Sequence, residues 1–200
     1  MGSDPPSFTY GRRPRATDQA MTQAMGDCIA SWSHVELSLA QMFMTVVGCK
    51  GIVADTIWTS FLSFEPRTTM LHRVLNVQLE NSPHLDDWNL LYNYTLKMSK
   101  ERNKIAHSTL LNFDNKEMVL EPFFVMTKPK PYLHIEDIRA IKPKFEELRL
   151  TVMIFSSEIT MSPELRSKYP RPVSDLVLRL RAEDAQRRKE QQEQKKPSPG

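Results

Sequence analysis

A helical spacing of apolar residues runs from Asp18 to Val47 and limits the folds open to this chain. The spacing is three or four residues over about eight turns, and its apolar members are Met21, Ala24, Met25, Cys28, Ile29, Trp32, Val35, Leu39, Met42, Phe43 and Val46. It predicts one long amphipathic helix, which Gly48 and Gly51 end. A single helix cannot cover its own apolar face, so other parts of the chain must pack against it.

Further segments follow the same helical spacing. The second covers residues 54–79, and Pro66 is expected to break or kink it, leaving residues 68–79 as the stronger half. The third begins near Ser82-Pro83 and continues to about His107. A helix start at Glu136-Asp137 precedes the fourth amphipathic segment, residues 145–159, which Pro163 closes.

The spacing changes after the third helical segment. Residues 108–113 and 117–126 are rich in Thr, Leu, Val and Phe, and the turn-like residues 114–116 between them predict a short β-hairpin. The sequence therefore predicts an all-α fold, an up-and-down bundle of four to five helices with a small β-hairpin insert. We expect a disordered arm over residues 1–16, the bundle over 17–163, and a charged C-terminal extension over 164–200, disordered from about residue 183.

Composition and charge exclude several classes of protein. Only six Gly are present, and neither G-x-x-x-x-G-K nor G-x-G-x-x-G occurs, which disfavours a glycine-rich phosphate-binding loop. Cys28 and Cys49 are too few for a disulfide framework or a four-cysteine zinc site, which favours the reducing cytoplasm. No run of 18 apolar residues predicts a membrane span, and the polar N-terminus does not look like a secretory signal. Residues 164–200 carry a net charge of +4 and residues 1–163 a net charge of −1, so binding of nucleic acid would need a local basic patch or the tails.

Two charged residues interrupt the apolar stripes of their helices. Glu36 lies on the stripe of the first helix, and Arg102 lies on that of the third. Because an unpaired buried charge costs several kcal/mol, we expect the two side chains to form an ion pair across the bundle. The alternative is that each side chain reaches solvent at the edge of its stripe.

The residues after Arg102 could bind phosphate and transfer protons. Asn103 and His107 are four residues apart and share one helical face, which Arg102 is long enough to reach. Together they provide a guanidinium, an amide and an imidazole. Three lysines lie nearby and are candidate contacts for RNA phosphates: Lys97, Lys100 and Lys104.

This Arg-Asn-x-x-x-His motif, late in the third helix of a small bundle, resembles the signature of HEPN domains. The segment around Trp32-Ser33-His34-Val35-Glu36 is similar to the first helix of stand-alone bacterial HEPN-like proteins, in which Trp-x-x-x-Glu lies in the core. The resemblance covers residues 18–160 and leaves out the arms at both ends.

The resemblance implies a metal-independent endoribonuclease of toxin or defence type that acts as a homodimer and uses no cofactor. Two motifs would meet at the dimer interface. His107 of each subunit would act as general base or general acid, while Arg102 would stabilise the charge on the reacting phosphate. Asn103 would orient His107 or a phosphate oxygen, and Glu36 would hold Arg102. RNA is the implied substrate, and an antitoxin or regulatory protein is a further implied partner.

Other interpretations stay open. The chain could be a non-catalytic helical binding or regulatory module that keeps the motif for folding or dimerisation, or an RNA-binding protein that acts through its tail. Asn103 and His107 could simply finish a helix. Zinc chemistry is disfavoured, because His34-Val35-Glu36 lacks the P-C-x-x-C of zinc deaminases. The remaining histidines show no ligand spacing and are expected to be structural or on the surface: His72, His84 and His134.

Overall fold

The computed structural model describes residues 17–113, 117–122, 132–168 and 173–194. Over these residues the elements are α1 (Asp18–Val47), α2 (Gly51–Thr59), α3 (Phe64–Gln78), α4 (His84–Ala106), β1 (Ser108–Phe113), β2 (Glu117–Pro122), α5 (Ile135–Thr160), α6 (Pro163–Lys168) and α7 (Asp175–Gln194). The all-α fold with a small hairpin insert is therefore confirmed. The expected disordered arm, residues 1–16, lies outside the described residues.

Helix α1 has the long single span that its apolar spacing predicts. The side chain of Thr17 caps its start by accepting a hydrogen bond of 3.1 Å from the backbone N–H of Ala20. Its end is set by Gly48, whose φ of 65° lies in the left-handed region that glycine adopts without strain.

Contacts between side chains give the relative directions of three pairs of helices. Trp32 packs on Phe64, and the Gln78 amide donates to the Val46 carbonyl, so α1 and α3 are parallel. Thr69 meets Tyr92 and His72 meets Trp88, so α4 is antiparallel to α3. Glu147 meets Arg179 and Thr151 meets Ser174, so α7 is antiparallel to α5.

The centre of the bundle is the long contact between α1 and α5. Trp32, which is 1% exposed, places its ring centroid 5.1 Å from that of Phe145, and Phe145 is fully buried. Cys28 is buried on the same face of α1, and burial raises the pKa of its thiol to about 11, against a smaller lowering by Lys142. Since aromatic and aliphatic side chains fill this interface, α1 acts as the central helix of the core.

Two proline positions explain where the helix bounds differ from the expected ones. Pro66 is the third residue of α3, within the first turn, where the N–H that proline lacks has no partner inside the helix. The helical segment is interrupted before Pro66, at residues 60–63, rather than at Pro66 itself. Pro143 lies inside α5 on its exposed side, and α5 continues through it as one helix from Ile135 to Thr160.

The hairpin follows α4 directly. Strands β1 and β2 pair antiparallel, with Leu110 opposite Leu120 and Leu111 opposite Val119. Val119 and Leu120 are buried, and Leu120 also pairs with Leu133 just before α5. Residues 123–126, expected to belong to the second strand, lie outside the described residues.

The C-terminal helix α7 belongs to the bundle in its first half. Leu176, Val177 and Leu180 are buried, and Arg181 forms an ion pair with Asp87 of α4. The bundle therefore extends past residue 163, the boundary expected from the sequence. The second half of α7 is a mostly exposed helix as far as Gln194, whereas disorder was expected from about residue 183. Because most residues of α7 are charged or polar, the short apolar face formed by Leu176, Val177 and Leu180 was not detected from the sequence.

Candidate functional site

Glu36 and Arg102 meet between α1 and α4. A guanidinium Nη2 of Arg102 lies 3.5 Å from Oε1 of Glu36, so the expected ion pair is present. The side chain of Glu36 is 26% exposed and that of Arg102 is 29% exposed, which places the pair at the edge of the core rather than deep within it. The carboxylate thus compensates the guanidinium charge at a site that solvent still reaches.

Trp32 also binds the carboxylate of Glu36. Its indole Nε1–H donates to the same oxygen, Oε1, at 2.5 Å. Trp32 is held in turn by edge-to-face contacts with Phe64 and Phe145, at centroid distances of 4.9 and 5.1 Å. The sequence placed Trp32 and Glu36 on one face but did not reveal this hydrogen bond, for which their spacing of four residues is the signal.

The amide of Asn103 is bound by its neighbour. Nη1 of Arg102 donates to Oδ1 of Asn103 at 2.9 Å, and Asn103 is exposed. Arg102 is therefore fixed on two sides, by Glu36 and by Asn103. Its Nε is buried and has no hydrogen-bond partner among the described residues. The expected contact of Asn103 with His107 or a phosphate is untested, and the amide oxygen is already directed at Arg102.

His107 lies at the junction of α4 and β1. It is the C-cap of α4, its backbone N–H donates to the carbonyl of Asn103 at 3.1 Å, and its side chain is exposed. The structure thus brings Arg102, Asn103 and His107 together within the last turns of one helix. An exposed imidazole at this position is open to a substrate or to a second copy of the chain.

The three candidate lysines are all exposed on α4. Lys97, Lys100 and Lys104 are separated by three and four residues, which puts them on one side of the helix. The ammonium of Lys104 lies 2.7 Å from Glu101, so its charge is partly compensated. Lys97 and Lys100 are the stronger candidates for phosphate contacts.

One histidine outside the motif has a clear structural role. Nδ1 of His72 accepts a hydrogen bond of 3.1 Å from the buried Trp88, and its ring stacks on Tyr92 at 4.0 Å. Burial lowers the pKa of His72, which favours the neutral imidazole that can accept this bond. Over the described ranges, no group of three His, Cys, Asp or Glu side chains could hold a metal ion.

Within the part of the chain that the structure describes, no helix is long and apolar enough to cross a membrane. The chain matches no protein-family model, no curated protein and no solved structure. The resemblance to HEPN domains therefore depends on the motif and its surroundings alone.

Proposed function

We propose that the protein is a homodimeric, metal-independent endoribonuclease of toxin or defence type, acting in the cytoplasm. The observation that supports this most is the chain of contacts from Trp32 through Glu36 to Arg102. It holds a guanidinium in a fixed position near the end of α4, where the exposed His107 lies. A cation held on the same helix as an accessible imidazole suits phosphoryl chemistry, because a group that is already in position does not have to reorganise as charge develops on the phosphate.

The proposed reaction uses the 2′-OH of RNA as the nucleophile. His107 of one subunit accepts the 2′-OH proton as the 2′-oxygen bonds to phosphorus, and His107 of the partner subunit donates a proton to the departing 5′-oxygen. Arg102 stabilises the negative charge on the phosphorane-like transition state. The products are a 2′,3′-cyclic phosphate and a 5′-hydroxyl, and no metal or cofactor takes part.

The remaining residues position this machinery. Glu36 orients Arg102 without touching the substrate, and Asn103 holds the guanidinium from the other side. Lys97 and Lys100 extend a positive surface along α4 for flanking phosphates. An antitoxin or regulatory protein that covers the end of α4 would block the site.

The test is cleavage of single-stranded RNA by the purified full chain in EDTA. Wild-type protein is expected to release fragments with 2′,3′-cyclic phosphate ends, and His107→Ala to cut about 10²–10⁴-fold more slowly. The matched control is His84→Ala, the same change at the opposite end of α4. It should keep wild-type activity, and circular dichroism should show that both variants stay folded.

A cleavage reaction that requires Mg²⁺ would contradict the mechanism, even if RNA were cut. Equal activity of His107→Ala and wild-type protein would remove His107 from the site. Intact RNA after prolonged incubation with folded wild-type protein, together with normal growth of a host that expresses it, would contradict the ribonuclease itself.

One observation favours a second candidate, a non-catalytic binding or regulatory module. Arg102 already directs Nη1 at Asn103 and Nη2 at Glu36, as a purely structural arginine would. In that case Arg102→Met would lower stability, and a folded His107→Ala would behave as wild type in every assay. The RNA cleavage experiment separates the two candidates.

A further inference from the structure

A groove lies between α1 and α5, away from the motif. Its volume is about 450 Å³, which is within the range of small-molecule sites. Three polar side chains from each helix line it: Asp27, Ser31, His34, Lys142, Glu146 and Arg149. Each trio has spacings of three and four residues, so its members share one face of their helix. We call this feature the α1–α5 groove.

The α1–α5 groove and the Arg102 site use different faces of α1. His34 lines the groove, whereas Glu36 contacts α4. Two residues along a helix correspond to a rotation of about 200°. A ligand in the groove would therefore leave Arg102, Asn103 and His107 untouched, and the two sites can be tested separately.

Charges are balanced at one end of the groove. Lys142 lies 3.5 Å from Glu146. Lys142 also lines a smaller neighbouring cavity together with Asp27 and Arg139. Each acid at this end thus has a basic side chain close to it, which leaves little net charge to attract a ligand.

The other end of the groove carries the positive charge of Arg149. Arg149 is half-buried, and none of the ion pairs found over the described ranges includes it. His34, exposed on α1, lines the same groove and adds a second nitrogen donor, while Ser31 adds a hydroxyl. A guanidinium can bind an oxyanion through two parallel hydrogen bonds, and an imidazole and a hydroxyl that line the same groove can add further hydrogen bonds to it.

Exposed apolar side chains continue the groove beyond Arg149. Leu37 is 55% exposed, Leu150 53% and Met153 44%. Leu37 follows His34 by three residues and Met153 follows Arg149 by four, so both prolong the rows that line the groove. Three large apolar side chains next to a cationic end form a surface with two chemically different halves.

We propose that the α1–α5 groove binds an organic oxyanion, with its phosphate or carboxylate at Arg149 and His34 and its apolar part on Leu37, Leu150 and Met153. The distribution of charge sets the direction, because Lys142 lies beside the acids at its own end of the groove, whereas Arg149 is in no ion pair found over the described ranges. This proposal does not depend on the ribonuclease and uses none of its residues.

The test is calorimetric titration of the full chain with octyl phosphate, octanoate and inorganic phosphate. Octyl phosphate and octanoate are expected to bind, and inorganic phosphate at least about tenfold more weakly, because it lacks the apolar contacts. The two amphiphiles distinguish a phosphate ligand from a carboxylate ligand. Amide resonances that shift on binding should belong to α1 and α5 around residues 31–37 and 146–153.

Arg149→Met keeps the apolar stem and removes the charge, and it should weaken binding of the amphiphiles by about tenfold or more. Arg73→Met, the same change at an exposed position of α3, is the control and should bind as wild type. The proposal is overturned if neither amphiphile binds, if inorganic phosphate binds as tightly as they do, or if Arg73→Met weakens binding as much as Arg149→Met.

Discussion

Asp87 and Arg181 form a two-bond ion pair that joins α4 to α7. Nε and Nη2 of Arg181 each donate to a different carboxylate oxygen of Asp87, both at 2.6 Å. The Asp87 side chain is only 10% exposed, whereas that of Arg181 is 48% exposed. The hydrogen bonds that Arg181 donates to Asp87 raise the pKa of the Arg181 guanidinium, which favours its charged form. This pair anchors the end of the bundle that Leu176, Val177 and Leu180 cover.

Arg181→Met is expected to lower the free energy of unfolding by about 1–2 kcal/mol, because it leaves the shielded Asp87 carboxylate without its partner. Urea denaturation would measure the change. Arg179→Met is the matched control on the same helix: its partner Glu147 is 32% exposed and Arg179 is 55% exposed. A surface pair of this kind contributes less than about 1 kcal/mol. If both variants lose the same free energy of unfolding, the shielded Asp87–Arg181 pair stabilises the fold no more than an exposed pair does.

Glu36→Ala is expected to destabilise the fold by about 1–3 kcal/mol. It removes the acceptor of the buried Trp32 indole and the counter-charge of Arg102 together. Because the pair is about a quarter exposed, the loss is smaller than for a fully buried pair. Glu36→Gln keeps an acceptor for Trp32 and should recover part of the stability. If Glu36→Ala unfolds at the same urea concentration as wild type, the contact contributes nothing to the fold.

Cys28 should make stability depend on pH in the alkaline range. Burial raises its pKa from 9.0 to about 11, so the unfolded chain loses this proton first as pH rises. The stabilisation is complete below about pH 9 and is lost between about pH 9 and 11. Melting temperatures of wild type and Cys28→Ala over this range should converge at the alkaline end. A constant difference would contradict the raised pKa.

The proposed dimer makes a prediction for Ala106, an exposed residue between Asn103 and His107. Ala106→Arg adds bulk and charge at little cost in helix propensity. It should turn a dimer into a monomer in light scattering and abolish RNA cleavage with it. Ala140→Arg, on the exposed side of α5, should remain dimeric. A monomeric wild-type protein at micromolar concentration would argue strongly against the composite site.

Much of the fold follows from apolar spacing. That spacing predicted α1 and the start of the hairpin. It also predicted the Glu36–Arg102 contact, because two charged residues on apolar stripes are costly to bury unless they pair. It failed for α7, whose three buried residues stand among many charges, so that the segment was predicted as a charged extension outside the bundle. The ion pair of Asp87 could not be predicted either, since the sequence does not indicate which distant arginine packs beside it.

The candidate sites show the same limit. The motif at the end of α4 could be found because its residues are neighbours in sequence. The α1–α5 groove could not, because His34 and Arg149 come together only when α1 and α5 pack in parallel. Long-range juxtapositions of this kind depend on helix direction, which the spacing of apolar residues does not specify.

The position of α7 also affects how the chain folds as it is made. Asp87 emerges from the ribosome 94 residues before Arg181 does. At about 5–20 residues per second, α4 waits roughly 5–20 seconds for its last partner. During that time the surface later covered by Leu176, Val177 and Leu180 is open to water and to other nascent chains. Chaperones that bind apolar surface can bind the chain during this interval, which ends when α7 packs against the bundle.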